Sequence, residues 1–108
     1  MINVTIFKDS KSQYKGFEVS GHAGYSESGT DIVCAAVSIL TVNAANSIES
    51  FTDDIFDVNC NDDGYLKLLL CDNVSNESRL LIDSMILGLN SVIESYGGKY
   101  LKISYKEV

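Results

Sequence analysis

Two stretches whose apolar residues recur at helical spacing constrain the fold of this 108-residue chain more than any other feature. In the first, Val33, Ala36, Val37, Leu40, Ala44, Ile48 and Phe51 share a face over about residues 31–51. In the second, Ile82, Met85, Ile86, Leu89, Ile93 and Tyr96 do so over about residues 77–96. Helices of this pattern bury one stripe against another layer. The segments around them alternate with period two instead. Ile2 to Phe7 and Gly16 to Ser20 read as strands ahead of the first helix, with polar, turn-like residues between them. Ile55–Cys60 and Tyr65–Cys71 flank Asn61-Asp62-Asp63-Gly64, a hairpin signal with its Asp-Gly pair at the turn. Tyr100–Lys106 alternates again, with Leu101, Ile103 and Tyr105 on one face. The expected order is ββαββαβ, an α+β fold with two helices packed on a mostly antiparallel sheet, in a single domain over residues 1–108.

Local chemistry marks the helix ends. Thr30 or Asp31 suits the N-cap of the first helix, and Ser75 or Asn76 that of the second. Gly97-Gly98 stops the second helix.

Charge and cysteine usage narrow the function classes. Fifteen acidic residues against eight basic ones leave a net charge of −7. That balance disfavours binding to nucleic-acid phosphates, which needs clustered Lys and Arg. There is no unbroken apolar run of membrane length, and the N-terminal residues lack the basic and apolar regions of a signal peptide, so a cytoplasmic protein without a membrane partner is expected. The three cysteines lack metal-ligand spacing, and no metal or cofactor is expected. Cys60 and Cys71 flank the hairpin out of register with one another, since its turn pairs residue 60 with about residue 65. Both are expected to stay reduced as small strand residues.

The chemistry concentrates between the second strand and the first helix. Gly21-His22-Ala23-Gly24-Tyr25 carries the single histidine, and Gly29-Thr30-Asp31-Ile32-Val33-Cys34 ends on a cysteine that opens the apolar helical run. A thiol and an imidazole suffice for nucleophilic catalysis by sulfur. With Thr30 or Asp31 as cap, Cys34 falls at about the third position of the first turn, where the helix dipole stabilises a thiolate. The amides of Cys34 and Ala35 are candidate oxyanion donors. His22 is the candidate base, Asp31 either orients it or caps the helix, and Ser38 lies one turn beyond Cys34 on the same face. Gly21, Gly24 and Gly29 permit backbone conformations and movements that suit an active-site lid or a simple connection. The spacing also fits a core cysteine and a surface histidine with no catalytic role.

The run Ser20-Gly21-His22-Ala23-Gly24-Tyr25, followed by Gly29-Thr30-Asp31-Ile32-Val33-Cys34-Ala35-Ala36-Val37-Ser38, closely resembles the signature of the ribosomal-processing cysteine protease family. The likeness extends over the whole chain. It implies a small bacterial endopeptidase that removes a short N-terminal extension from the precursor of ribosomal protein L-twenty-seven. Cleavage would fall after a pair of phenylalanines and before a small residue. On this resemblance His22 and Cys34 are the catalytic pair, and Asp31 and Ser38 are supporting positions. Gly21 to Thr30 is a loop that orders around substrate, with Tyr25 a candidate wall of the apolar groove, and the enzyme is a homodimer. A basic ribosomal substrate suits an acidic enzyme. The competing function class is a non-catalytic ribosome-assembly module that grips the extension. A thiol-dependent acyl transferase or hydrolase on small substrates is a third reading.

Overall fold

The computed structural model describes residues 1–21, 30–61 and 64–108, with side chains over the same ranges apart from Thr30 and Asp31. The elements are β1 (Ile2–Lys8), β2 (Tyr14–Ser20), α1 (Thr30–Phe51), β3 (Phe56–Cys60), β4 (Leu66–Leu70), α2 (Asn76–Tyr96) and β5 (Leu101–Glu107). This is the expected ββαββαβ order. The five strands form one sheet in the order β3-β4-β2-β1-β5. Three neighbouring pairs are antiparallel, and β5 closes the sheet parallel to β1, with Ile2 opposite Leu101.

Alternation along the strands sets the layers. Ile2, Val4 and Ile6 of β1, Phe17 and Val19 of β2, and Leu66, Leu68 and Leu70 of β4 are buried on one face. They meet Val33, Val37, Ala44 and Ile48 of α1 and Ile82, Met85, Ile86, Leu89 and Val92 of α2 in a single core. The opposite face is open to solvent and carries Thr5, Glu18 and Lys67 across three neighbouring strands. The two helices lie side by side and antiparallel. Leu40 fills the space beside Gly88, and Asn43, Ala44 and Ser47 face Leu81, Ser84 and Met85.

β2 begins earlier than the expected Gly16. A register shift between Phe7 and Lys8 lets Tyr14 and Lys15 continue the pairing. Gly16 is required there for another reason. A Cβ at this position would stand 2.0 Å from the Leu68 carbonyl oxygen, and its φ is +145°.

The end of α2 and its start follow the local signals. The Ser75 side chain accepts from the Ser78 amide, and the Gly97 amide donates to the Ile93 carbonyl. The Ser75 cap is tied to a distant segment. Asp54, between α1 and β3, accepts from the Ser75 amide at 3.0 Å, the Ser75 hydroxyl at 2.7 Å and the Ser78 hydroxyl at 2.6 Å. Partial burial works against the carboxylate, but these donors outweigh it and hold its pKa below the ordinary range. Further along α2, Asp83 accepts from the Tyr14 hydroxyl, which pins the start of β2 to the helix layer. Burial first, then this bond, raises the Tyr14 pKa well above the usual phenol value.

Cys60 pairs with Leu66, Cys71 lies past the end of β4, and both thiols are free, in line with the hairpin reading. The Ile32–Phe51 stretch is long and apolar enough by composition to cross a membrane. Its Val33, Val37, Ala44 and Ile48 stripe is nevertheless packed in the core of this domain.

Candidate active site

α1 holds the candidate nucleophile. Its buried stripe of Val33, Val37, Ala44 and Ile48 fixes the rotation of the helix on the sheet. At 100° per residue, that rotation puts Cys34 and Ser38 on the flank turned away from Leu40 and α2. Cys34 is half-buried and touches the core, while Ala35 and Ser38 are exposed beside it. Its thiol is free. A sulfur with one side packed and one side open has a fixed position and an approach for substrate, which a core cysteine lacks. One turn further on, the Thr41 hydroxyl donates to the Val37 carbonyl at 2.8 Å and leans on the Ser38 carbonyl at 3.4 Å. That bond satisfies a buried hydroxyl inside the apolar helix.

The helix starts earlier than the capping argument implied. α1 begins at Thr30, so Thr30 is its first residue rather than its cap, and Asp31 is its second. Cys34 is therefore the fifth residue and not about the third. The amides that a helix leaves free belong to its first four residues. Those of Cys34 and Ala35 fall beyond them by this count. Asp31 stands in the first turn, near the positive end of the helix.

Of the other expected site residues, Gly21 is described and has a definite role. It follows β2 with φ +86°, and a Cβ there would stand 2.5 Å from the Met1 carbonyl oxygen. Only glycine fits the point where the chain leaves the sheet towards His22. His22, Gly24, Tyr25 and Gly29, together with the side chain of Asp31, lie outside the described residues.

A broad groove lies elsewhere. About 560 Å³ in volume, it opens on the helix-free face and is lined by Thr5, Lys15, Glu18, Lys67, Leu69 and Lys106 among others, with Cys34 not among them. Among the described residues no group of His, Cys, Asp and Glu is arranged to hold a metal ion.

The sequence model of the cysteine protease Prp family matches residues 1–102. The chain belongs to the cysteine protease Prp family. It is a cysteine protease. The ribosomal processing cysteine protease Prp of Bacillus subtilis is 30% identical over 102 residues, covering 89% of this chain and 90% of its own. Two crystal structures of the essential ribosomal processing protease Prp from S. aureus superpose with TM-scores of 0.86 and 0.88 at 29% and 28% identity. Each covers 98% of this chain and 100% of its own. One is described in complex with a covalently linked product peptide and the other with a substrate peptide. The Prp fold thus includes the two-helix layer and the five-stranded sheet found here. Sequence reasoning missed Asp54 as the support of the α2 start. No local signal joins it to Ser75, because the pairing depends on how β3 and β4 bring the two segments together.

Proposed function

We propose that this chain removes the N-terminal extension of the ribosomal protein L-twenty-seven precursor, cutting after a Phe-Phe pair, with Cys34 as nucleophile and His22 as base. The observation that carries this reading is the half-buried, free Cys34 on the open flank of α1 in a member of the Prp family. The covalently linked product peptide of the S. aureus relative supports a covalent intermediate. His22 takes the Cys34 proton, and the sulfur attacks the carbonyl carbon after the second phenylalanine. The C–N bond then breaks, His22 returns the proton to the leaving amine, and a thioester remains on Cys34. Water, deprotonated by His22, attacks the thioester. The peptide acid leaves, and the thiol is restored. Ala35 and Ser38, exposed beside the sulfur, border the substrate. Asp31 orients His22, and the Gly21–Thr30 segment, with Tyr25, closes over the bound peptide. The enzyme works in the cytoplasm as a homodimer.

The test is incubation of the purified chain with a synthetic precursor peptide, followed by mass spectrometry of the products. One cut after the Phe-Phe pair is expected, absent in Cys34→Ala and in His22→Ala. Uncut peptide that stays tightly bound to the wild-type chain would favour the assembly-module reading. Cutting by a folded Cys34→Ala variant would exclude Cys34 as nucleophile.

A further inference from the structure

The chain is acidic as a whole but not on every face. Four of its eight basic residues, Lys15, Lys67, Lys102 and Lys106, stand on the helix-free side of the sheet. Of fifteen acidic residues, alternation puts Glu18 and Asp57 beside them. The acidic excess therefore lies on the rest of the surface.

Residues directly opposite one another in a sheet share a face. The register sets Lys106, Phe7, Gly16 and Leu69 in one row across β5, β1, β2 and β4. Gly16 adds no side chain, so the row forms a trough with Phe7 on one side and Leu69 on the other. It belongs to the groove of about 560 Å³ on this face, which Lys15 and Lys67 also line. Lys67 holds its ammonium 5.5 Å from the Phe7 ring centre, and Lys15 donates to the Asp72 carbonyl at 3.3 Å. Among the described residues, none of Lys15, Lys67 and Lys106 is paired with a carboxylate. Glu18, opposite Lys67 in the register, accepts instead from the Tyr65 hydroxyl at 2.7 Å. Three cations thus surround an apolar floor with their charge unmatched.

We infer that this trough binds a short acidic segment of a partner protein, extended across the strands. An apolar side chain of the segment lies over Gly16, between Phe7 and Leu69. Its carboxylates meet Lys106 at one end and Lys15 and Lys67 at the other. Charge complementarity selects this occupant, and the sheet sets its length. From β5 to β4 the trough crosses three strand spacings, about 15 Å, which about four to five extended residues span. A simple inorganic anion would leave the apolar floor uncovered. A nucleic acid would run past the trough onto the acidic remainder of the surface, where repulsion acts over about 10 Å at ordinary salt. The trough lies across the sheet from α1 and Cys34, so the inference does not depend on the peptidase reading.

Fluorescence anisotropy of the full chain tests the proposal. The probe is a labelled, capped pentapeptide with a central phenylalanine between two pairs of aspartates. Saturable binding is expected at low salt, with a dissociation constant below about 1 mM. Lys67→Glu and Lys106→Glu should each weaken it about tenfold or more. Lys67→Gln, which keeps most of the stem over Phe7, should weaken it by a smaller factor in the same direction. Lys99→Glu makes the same change in net charge on the exposed connection before β5, and should alter binding less than about twofold. A probe with glycine in place of phenylalanine should bind about fivefold more weakly. Circular dichroism confirms that each variant is folded. Absence of saturable binding up to about 1 mM overturns the proposal. So does an equal loss in Lys99→Glu, which would show attraction to net charge alone. A labelled uridine decamer that binds more tightly than the peptide, and is lost in Lys67→Glu, would overturn it in favour of nucleic acid.

Discussion

α1 and α2 are nearly the same length, lie antiparallel on one face of one sheet and share one core, yet they are built differently. α2 follows the rules for a helix whose task is to cover a sheet. It has a serine cap, an acidic first turn, a glycine stop and charged residues spaced along its exposed side. α1 keeps apolar residues on both its buried and its exposed sides, with two charges in 22 residues. Packing on the sheet alone would favour the α2 design. The excess apolar surface of α1 and the half-open Cys34 on its flank mark it as the helix that does more than support the fold.

Substitutions can sharpen or break that contrast. The largest expected effect is chemical and confined to α1. Cys34→Ala should lower the cleavage rate by about 10⁴-fold or more, with a melting temperature close to wild type, because removing a nucleophile eliminates the covalent route. In the core the helices should be alike while their outer faces differ. Leu89→Ala in α2 is expected to cost about 2–5 kcal/mol in denaturant unfolding, and Ile39→Ala on the outside of α1 under about 0.5 kcal/mol per folded protomer. An equal loss at the two positions would mean that the outer stripe is part of the core.

The capping network of α2 is the next smaller lever. Asp54→Ala removes the acceptor of three hydrogen bonds and should cost about 1–2 kcal/mol at neutral pH, lowered by the exposure of the carboxylate. Its pKa is depressed in the folded state, so the ionised form is favoured by folding. The stabilisation is present in full above the unfolded value near 3.8 and is lost as pH falls through the lower folded value. Acid titration of wild type against Asp54→Ala should therefore converge at low pH. The gap would stay constant if the carboxylate had no part in the cap. The smallest effect is expected at Gly88, where the helices meet. An added Cβ stands 2.7 Å from the Leu40 Cδ2, a movable methyl, while alanine gains about 1 kcal/mol in helix propensity. The two should nearly cancel for Gly88→Ala in a thermal melt, and a loss above about 2 kcal/mol would show that Leu40 has no room to move.

The contrast between the helices also shows what could be read from the chain alone. Ile82, Met85, Ile86 and Leu89 announced α2, and Ser75 and Gly97 announced its ends, because each signal acts within a few residues. The antiparallel pairing of β3 with β4 was legible for the same reason, while its turn residues Asp62 and Asp63 lie outside the described residues. The start of α1 was not, since both Thr30 and Asp31 resemble caps and an earlier start moves Cys34 from about the third position to the fifth. Tyr14, Asp83 and Asp54 carried no signal, as their partners come from other elements. Cys34 was marked as reactive by family likeness more than by spacing, because spacing cannot tell a packed thiol from a half-open one.

The parallel pairing of β1 with β5 has a consequence for synthesis. β1 lies inside the sheet, and one of its two neighbours is the last strand of the fold. Until that strand emerges, the first residues made expose a row of unpaired backbone groups, and Ile2 waits for Leu101. A fold with so non-local a closure forms late and slowly.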